Sequence, residues 1–530
     1  MQRPVFALVT INGQKGIGPR YVKAACEAAG VESHLIHFKL FESRHVSYDE
    51  GRRLRAASKL FVARIHTDGE EVIPYPHAVT EEEVELLVEE LRRISPTLVG
   101  LSFASVDLDT AILLTDTIHT RFAGLPVMWG GIHTILNPDT AIAHADIVCT
   151  GEGDEVIVEY LAAPSRRDIP GLWYNDGGQI TRNPMRPLIR DLDRLAFPAF
   201  GINEISIDNG HVDREISDVA TAINRFYQIV TSRGCPFACS YCLHRQLRNL
   251  YKGQKYLRRR SVENVMRELE LRGSQGFFAC SVDFYDEVLL KDPEWMEEFA
   301  REYGRRVGLP FAGYGHEMFT TPEMVRQLRD AGMMGMALAF QSGSRRMCVD
   351  IYRRPVNEER FLKLAWQLAE LKLDIIVIEG LTNTPFETEE DTRMTLELLL
   401  KLPTPFHLHM CKLMIFPGTT IEKTPPLENP LSEESFHFWN MLYLMCQCER
   451  LPRETIRSLA DDPYLRANPA VLEKLVNALV PLADPEMDVA IRLGPRSLEI
   501  QKARRAAATP VHNNGRLRRL LRRVKNRIVR

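Results

Sequence analysis

Three cysteines stand at positions 235, 239 and 242 within TSRGCPFACSYCLHR, in a chain of 530 residues that carries only 10. Three thiols on one short stretch, with gaps of three and two residues, read as a ligand set. Three thiolates can hold three corners of a 4Fe-4S cube and leave the fourth iron open to another ligand. A structural zinc site wants a fourth Cys or His. His244 is near, but the spacing C-x3-C-x2-C-x-H sets it too close to Cys242 for an easy tetrahedron. The open cube is the stronger reading, zinc the weaker, and chance clustering weaker still. The remaining cysteines (Cys26, Cys149, Cys280, Cys348, Cys411, Cys446 and Cys448) are mostly scattered through apolar strands and helices. Reduced, buried thiols have that distribution, which favours the cytoplasm over a disulfide framework. Cys446 and Cys448 read as core and surface thiols.

Two αβ series must position this loop. Over residues 1–160, apolar runs at 4–11, 33–38, 97–103, 125–131 and 145–153 alternate with helical patterns at 21–30, 81–94 and 109–122. That alternation predicts a Rossmann-like, doubly wound parallel sheet with its ligand beyond the carboxyl ends of the strands. Residues 161–225 are rich in turn signals and read as a linker with a small hairpin. A second series begins at FYQIVTSRG (226–234), with strands expected at 276–286, 310–317, 333–343, 373–381 and 406–416 and helices between them. Six strand–helix pairs suit a partial (β/α)6 TIM-like barrel over 226–425, with active residues at the carboxyl ends of its strands. The cysteines directly follow the first of those strands. Residues 426–530 read as helical.

CPFACSYC, in this context, resembles the cluster loop of radical S-adenosylmethionine (SAM) enzymes, with Tyr241 as the aromatic residue before the last cysteine. The resemblance implies that Cys235, Cys239 and Cys242 hold a 4Fe-4S cluster whose open iron takes the amino and carboxylate groups of SAM. VDFYDEVLL resembles the acidic pair after the second barrel strand, which puts Asp286 and Glu287 near the SAM ammonium. AFQSGS resembles a segment that usually carries Glu before Ser. Here Gln341 precedes Ser342, so the residue can hydrogen-bond SAM but cannot pair a charge. NTPFETEED and IFPGTT resemble later turns of the barrel, the first with Thr384 and Phe386 as departures.

In the first domain GLSFAS, WGGIHTILNP and CTGEGDEVI resemble the cobalamin-binding domain that precedes many such barrels. The resemblance carries over to Ser102, Ser105, Gly130, Gly131, His133, Thr134, Gly151, Glu152 and Gly153. INGQKGIG lacks the histidine that ligates cobalt in mutases and methionine synthase, so ligation from that loop is excluded. His133 reads as a contact to the nucleotide tail or a core histidine rather than an axial ligand. Methylthiotransferases need three further cysteines in this domain, and only Cys26 and Cys149 occur.

Charge and hydropathy bound the rest. No run of about eighteen apolar residues appears, and the N-terminus reads as neither a secretory signal nor a span. The net charge of −3 conceals 11 basic and no acidic residues over 501–530, which leaves residues 1–500 at −14. GRLRRLLRRVKNRIVR (515–530) reads as a basic amphipathic helix, packed on the acidic body or lying peripherally on the inner face of a membrane. No aromatic interleaving favours a nucleic-acid partner. The resemblance implies a cobalamin-dependent radical SAM methyltransferase. It would act on an unactivated carbon or phosphinate phosphorus of a small-molecule, natural-product or lipid substrate, fed by an external one-electron reductant of flavodoxin or ferredoxin type. A cobalamin-dependent radical cyclase or rearrangement enzyme is the alternative, and a non-catalytic cluster-stabilised binding protein the second.

Overall fold

A computed structural model describes residues 3–12, 16–39, 42–47, 64–65, 70–75, 79–208, 210–214, 226–275, 281–289, 291–449 and 451–479. Cys280, part of GQKGIG and the basic tail lie outside the described residues.

The first sheet is built on β1 (Val5–Ile11), β2 (Glu32–Phe38), β3 (Leu98–Ser102), β4 (Val127–Gly130) and β5 (Ile147–Cys149). VFALVTI is a continuous apolar run because a parallel strand between two helical layers is buried on both faces. Four more strands enlarge the sheet: β6 (Leu172–Asp176), β7 (Gln179–Arg182), β8 (Glu204–Asp208) and β9 (His211–Asp213). The order is β7-β6-β5-β4-β3-β1-β2-β8-β9, with the run from β5 to β8 parallel. The stretch that reads locally as a connector thus supplies both flanks of this sheet. Strand order reverses between β3 and β1, the position at which such sheets open a crevice. The register there sets Thr10 opposite Ser102 and Ser102 opposite Gly130.

Helix Glu81–Ile94 covers one face and is fixed at its start by reciprocal bonds: Glu83 N donates to Thr80 Oγ1 at 3.2 Å, and Thr80 N to the Glu83 carboxylate at 2.9 Å. Helices Ile17–Ala28 and Gly153–Ala162 cover the other face.

The second sheet contains β10 (Phe226–Ile229), β11 (Ser281–Phe284), β12 (Phe311–Gly315), β13 (Met333–Gln341), β14 (Ile375–Thr382) and β15 (His407–Lys412). Its order follows the chain and every pair is parallel, so this is a six-stranded open barrel wrapped by helices. Helix Glu433–Met445 is buried on nearly every side and packs on β14 and helix Glu389–Leu400, where Tyr443 Oη donates to Thr392 O at 2.8 Å. Cys446 and Cys448 are both buried there, so neither is a surface thiol. Among the described residues no helix is long and apolar enough to cross a membrane.

Candidate active site

The cysteine loop is anchored before it begins. Asp286, buried just past the end of β11, accepts from Thr231 N with both carboxylate oxygens at 3.0 Å, from Thr231 Oγ1 at 2.9 Å, and from Ser232 Oγ. These bonds stitch the carboxyl ends of β10 and β11 together. Next, Ser232–Arg233 pairs antiparallel with Arg258–Arg259, so residues 234–257 leave and return as one excursion. Gly234 opens it at φ +98°, where a Cβ would stand 2.6 Å from Tyr256 O. Only glycine fits that combination of left-handed backbone and close approach.

Within the loop Ser240 N donates to Tyr352 O at 2.7 Å, the Tyr241 ring meets Tyr352 edge-on at 5.3 Å, and Phe237 lies 4.3 Å from the His316 ring. Cys239 is buried; Cys235 and Cys242 are half-buried. Burial pushes the Cys235 thiol up to about 11 and that of Cys242 up to about 12. A bound cation supplies the charge that draws such thiols to thiolate. Among the described residues no three His, Cys, Asp or Glu side chains converge on a single ion. A cube asks for no such convergence, because each thiolate takes a different corner. Three sulfurs and a strand-end loop therefore fit the cluster as a donor set.

The two domains meet at a cavity of about 400 Å³. From the first sheet it takes Ser102, Gly130, Gly131, Gly151, Glu152 and Gly153. From the barrel side it takes Ser232, Arg233, Gly234, His244, Tyr285 and Glu287. Phe6, Leu8, Leu101, Met128 and Ile157 make its floor apolar. Gly18 and Gly130 border it, and a Cβ built on either meets nothing within 4 Å. The volume suits a nucleotide-sized group, and the glycine rim lets such a group approach the backbone.

Glu287 faces this cavity and accepts from His244 Nε2 at 3.0 Å, while His244 Nδ1 is 2.6 Å from Tyr256 Oη. Burial opposes the Glu287 charge, but His244 outweighs it and holds the carboxyl below its ordinary range.

The other sequence-derived positions fall into three groups. Ser105, His133 and Thr134 stand behind the cavity wall. His133 Nδ1 is 3.0 Å from Ser105 Oγ, its Nε2 has no partner among the described residues, and Thr134 Oγ1 donates to Cys149 O at 2.8 Å. Gln341 ends β13 at φ +67°, a left-handed backbone conformation that is uncommon for residues other than Gly, Asn, Asp and His. Ser342 turns to helix Glu389–Leu400, with its hydroxyl 3.3 Å from Thr395 Oγ1.

Glu152 borders the cavity and joins the domains. Its carboxylate accepts from Arg258 Nη1 and Nη2 at 2.9 Å each, from Arg233 Nη1 at 3.1 Å and from Ile189 N at 2.9 Å. Arg233 also binds Asp154 through two bonds of 2.9 Å and lies over the Tyr21 ring at 5.2 Å. Arg233, Arg258 and Asp154 escaped sequence reasoning. The arginine run at 258–260 was their available signal, but charge runs are usually solvated.

Residues 229–399 match the family model described as the radical SAM superfamily, and this segment of the chain is a radical SAM domain. An uncharacterized methyltransferase of Pyrococcus horikoshii is 21% identical over 71% of this chain and 79% of its own length. An anaerobic magnesium-protoporphyrin IX monomethyl ester cyclase of Cereibacter sphaeroides is 26% identical over 58% of this chain and 50% of its own length. The chain thus spans most of the first relative and half of the second. In fold it is similar to the radical SAM methyltransferase TsrM of Kitasatospora setae. With a tryptophan substrate and a SAM analogue bound, that structure has a TM-score of 0.58 and 17% identity, over 79% of this chain and 75% of TsrM. With cobalamin and a 4Fe-4S cluster bound, the TM-score is 0.56.

Proposed function

We propose that the chain is a cobalamin-dependent radical SAM methyltransferase acting on an unactivated carbon, or a phosphinate phosphorus, of a small-molecule, natural-product or lipid substrate. The observation that carries this reading is the single cavity shared by the glycine-rimmed strand ends of the first sheet and the base of the cysteine loop. The relation to a methyltransferase sequence and to the TsrM fold supports it.

Cys235, Cys239 and Cys242 would hold the cluster, and Gly18, Ser102, Gly130, Gly131, Gly151 and Gly153 would border the cobalamin tail. When bound, the cluster supplies the electron that opens SAM to a radical, and cobalamin carries the methyl group. The chain's own residues set the conditions. Asp286 fixes the root of the loop through Thr231 and Ser232. Glu287 keeps a negative charge beside the loop, oriented by His244 and Tyr256, where a substrate or cofactor ammonium would be favoured. Glu152 and Arg233 hold the two domains at one spacing, which proximity chemistry requires. The apolar floor excludes water.

Anaerobic reconstitution with iron and sulfide, followed by reduction with dithionite, should yield 5′-deoxyadenosine from SAM. Replacing Cys235, Cys239 and Cys242 by Ala should abolish that product, and persistence of cleavage would refute the cluster assignment. Product mass separates methylation, which adds one methylene, from the cyclisation that the Cereibacter sphaeroides relative brings into play.

A further inference from the structure

The cysteine loop has two sides. Gly234 and His244 face the interdomain cavity, whereas Cys235, Pro236 and Ala238 form the wall of a separate groove of about 650 Å³. The two spaces share no lining residue. A ligand in the groove would therefore reach the edge of the cysteine set without entering the space where substrate and cobalamin are proposed to lie.

The groove is basic. Arg245, Arg248, Lys252 and Lys291 line it, and exposed Lys255 follows in the chain. Among the described residues none of these five forms an ion pair with a carboxylate. Arg245 donates to Ala238 O at 3.1 Å, and Arg248 donates to Pro236 O at 2.9 Å and Phe237 O at 3.2 Å. Those acceptors are neutral, so the guanidinium charges stay uncancelled while they brace the loop. Asp292 and Glu294 follow Lys291 and are the acidic side chains nearest to it in sequence. Leu250, at the end of the helix that carries both arginines, is 46% exposed and adds apolar surface near the charges. The contrast with the rest of the chain is large, since residues 1–500 carry a net −14. A concentrated positive field at the sulfur set, on an otherwise acidic body, steers an acidic partner to this one place.

We propose that this groove is the docking surface for a small acidic electron-carrier protein of flavodoxin or ferredoxin type. It rests on the functional reading above. One electron leaves the carrier's reduced flavin or iron–sulfur centre and enters the cluster held by Cys235, Cys239 and Cys242; no bond is made or broken in that transfer. The contact is transient, with a small interface weakened by salt.

Among the described residues neither the Lys252 nor the Lys291 ammonium makes a hydrogen bond, and Lys291 stands only at 6.0 Å over the Phe319 ring, so Lys252→Glu/Lys291→Glu reverses the charge without removing a side-chain hydrogen bond to the cysteine loop. Binding of a purified acidic flavodoxin is measured on the full chain, loaded and unloaded, at low and high ionic strength. 5′-Deoxyadenosine formation is then driven either by reduced flavodoxin or by dithionite. The double variant is expected to weaken flavodoxin binding about tenfold or more at low salt. It should slow flavodoxin-driven cleavage by a similar factor below saturation and leave dithionite-driven cleavage unchanged. Lys252→Gln/Lys291→Gln should fall between wild type and the reversal. Unchanged flavodoxin binding would overturn the proposal. So would equal losses with both reductants, or selective competition by an oligonucleotide that the same variants abolish. Dithionite failing to cleave SAM in the wild type, with flavodoxin still bound at the groove, would count against the cluster reading alone.

Discussion

Arg233 stands one residue before the glycine that opens the cysteine loop, yet its guanidinium leaves the barrel for Asp154 and Glu152. Arg258, its partner across the short antiparallel ladder, reaches the same Glu152 and is only 3% exposed in its side chain. Glu152→Ala would strand that buried guanidinium, at a cost of about 3 kcal/mol. Urea unfolding should show this loss, and a stability equal to wild type would mean that the two domains are held by other contacts. Glu387 offers a test through pH. It lies in the turn before helix Glu389–Leu400, fully buried, and its Oε2 has no partner among the described residues. Burial first, and then the charge of Asp391, push its carboxyl from 4.5 up to about 8, against Arg346. The folded chain keeps this proton where the unfolded chain has lost it. Its contribution to stability is therefore whole below about pH 4.5 and fades as pH rises to about 8, with a slope of at most about 1.4 kcal/mol per pH unit. Glu387→Gln should flatten that decline in urea midpoints taken at several pH values over this range. An unaltered pH profile would show that the carboxyl does not titrate there.

At the scale of elements, local signals and long-range pairing part company. Helix Glu81–Ile94 has the bounds its periodicity predicts, since its apolar stripe and its capping residues are local features. Strand β8 reads EISID, which looks half-exposed, but Glu204, Ser206 and Asp208 are all buried. Glu204 binds Arg20 and His37, which hold its carboxyl well below the ordinary range despite burial. Asp208 lies 3.3 Å from Lys39 Nζ. Those partners come from far upstream, and no local pattern announces them. The turn after β4 gives a sharper test, because adjacent glycines have different duties. A Cβ on Gly131, at φ +97°, would lie 2.6 Å from Phe103 O, whereas one on Gly130 meets nothing. Gly131→Ala should cost about 2 kcal/mol or more. Gly130→Ala should stay within about 0.5 kcal/mol of wild type. Gly130→Phe should fold, retain the cluster's visible absorption and lose hydroxocobalamin binding; unimpaired binding would place the corrin tail elsewhere.

For the whole molecule, the kind of chemistry and the two αβ series that frame it follow from residue order along the chain. Thiol spacing, strand-end glycines and apolar periodicity are properties of neighbouring residues. The radical SAM segment, the parallel order of the six barrel strands and the position of the cysteine loop after the first of them were all legible in that way. Which residues share a space emerges only from the folded arrangement. It put Glu287 on His244, turned Glu152 into the joint between domains, set His133 behind the cavity wall, and divided the surroundings of the cysteine loop into an inner cavity and an outer basic groove. The reason is physical. A buried charge must find its counter-charge wherever the fold brings one, and that partner lies anywhere from tens to more than a hundred residues away in the chain.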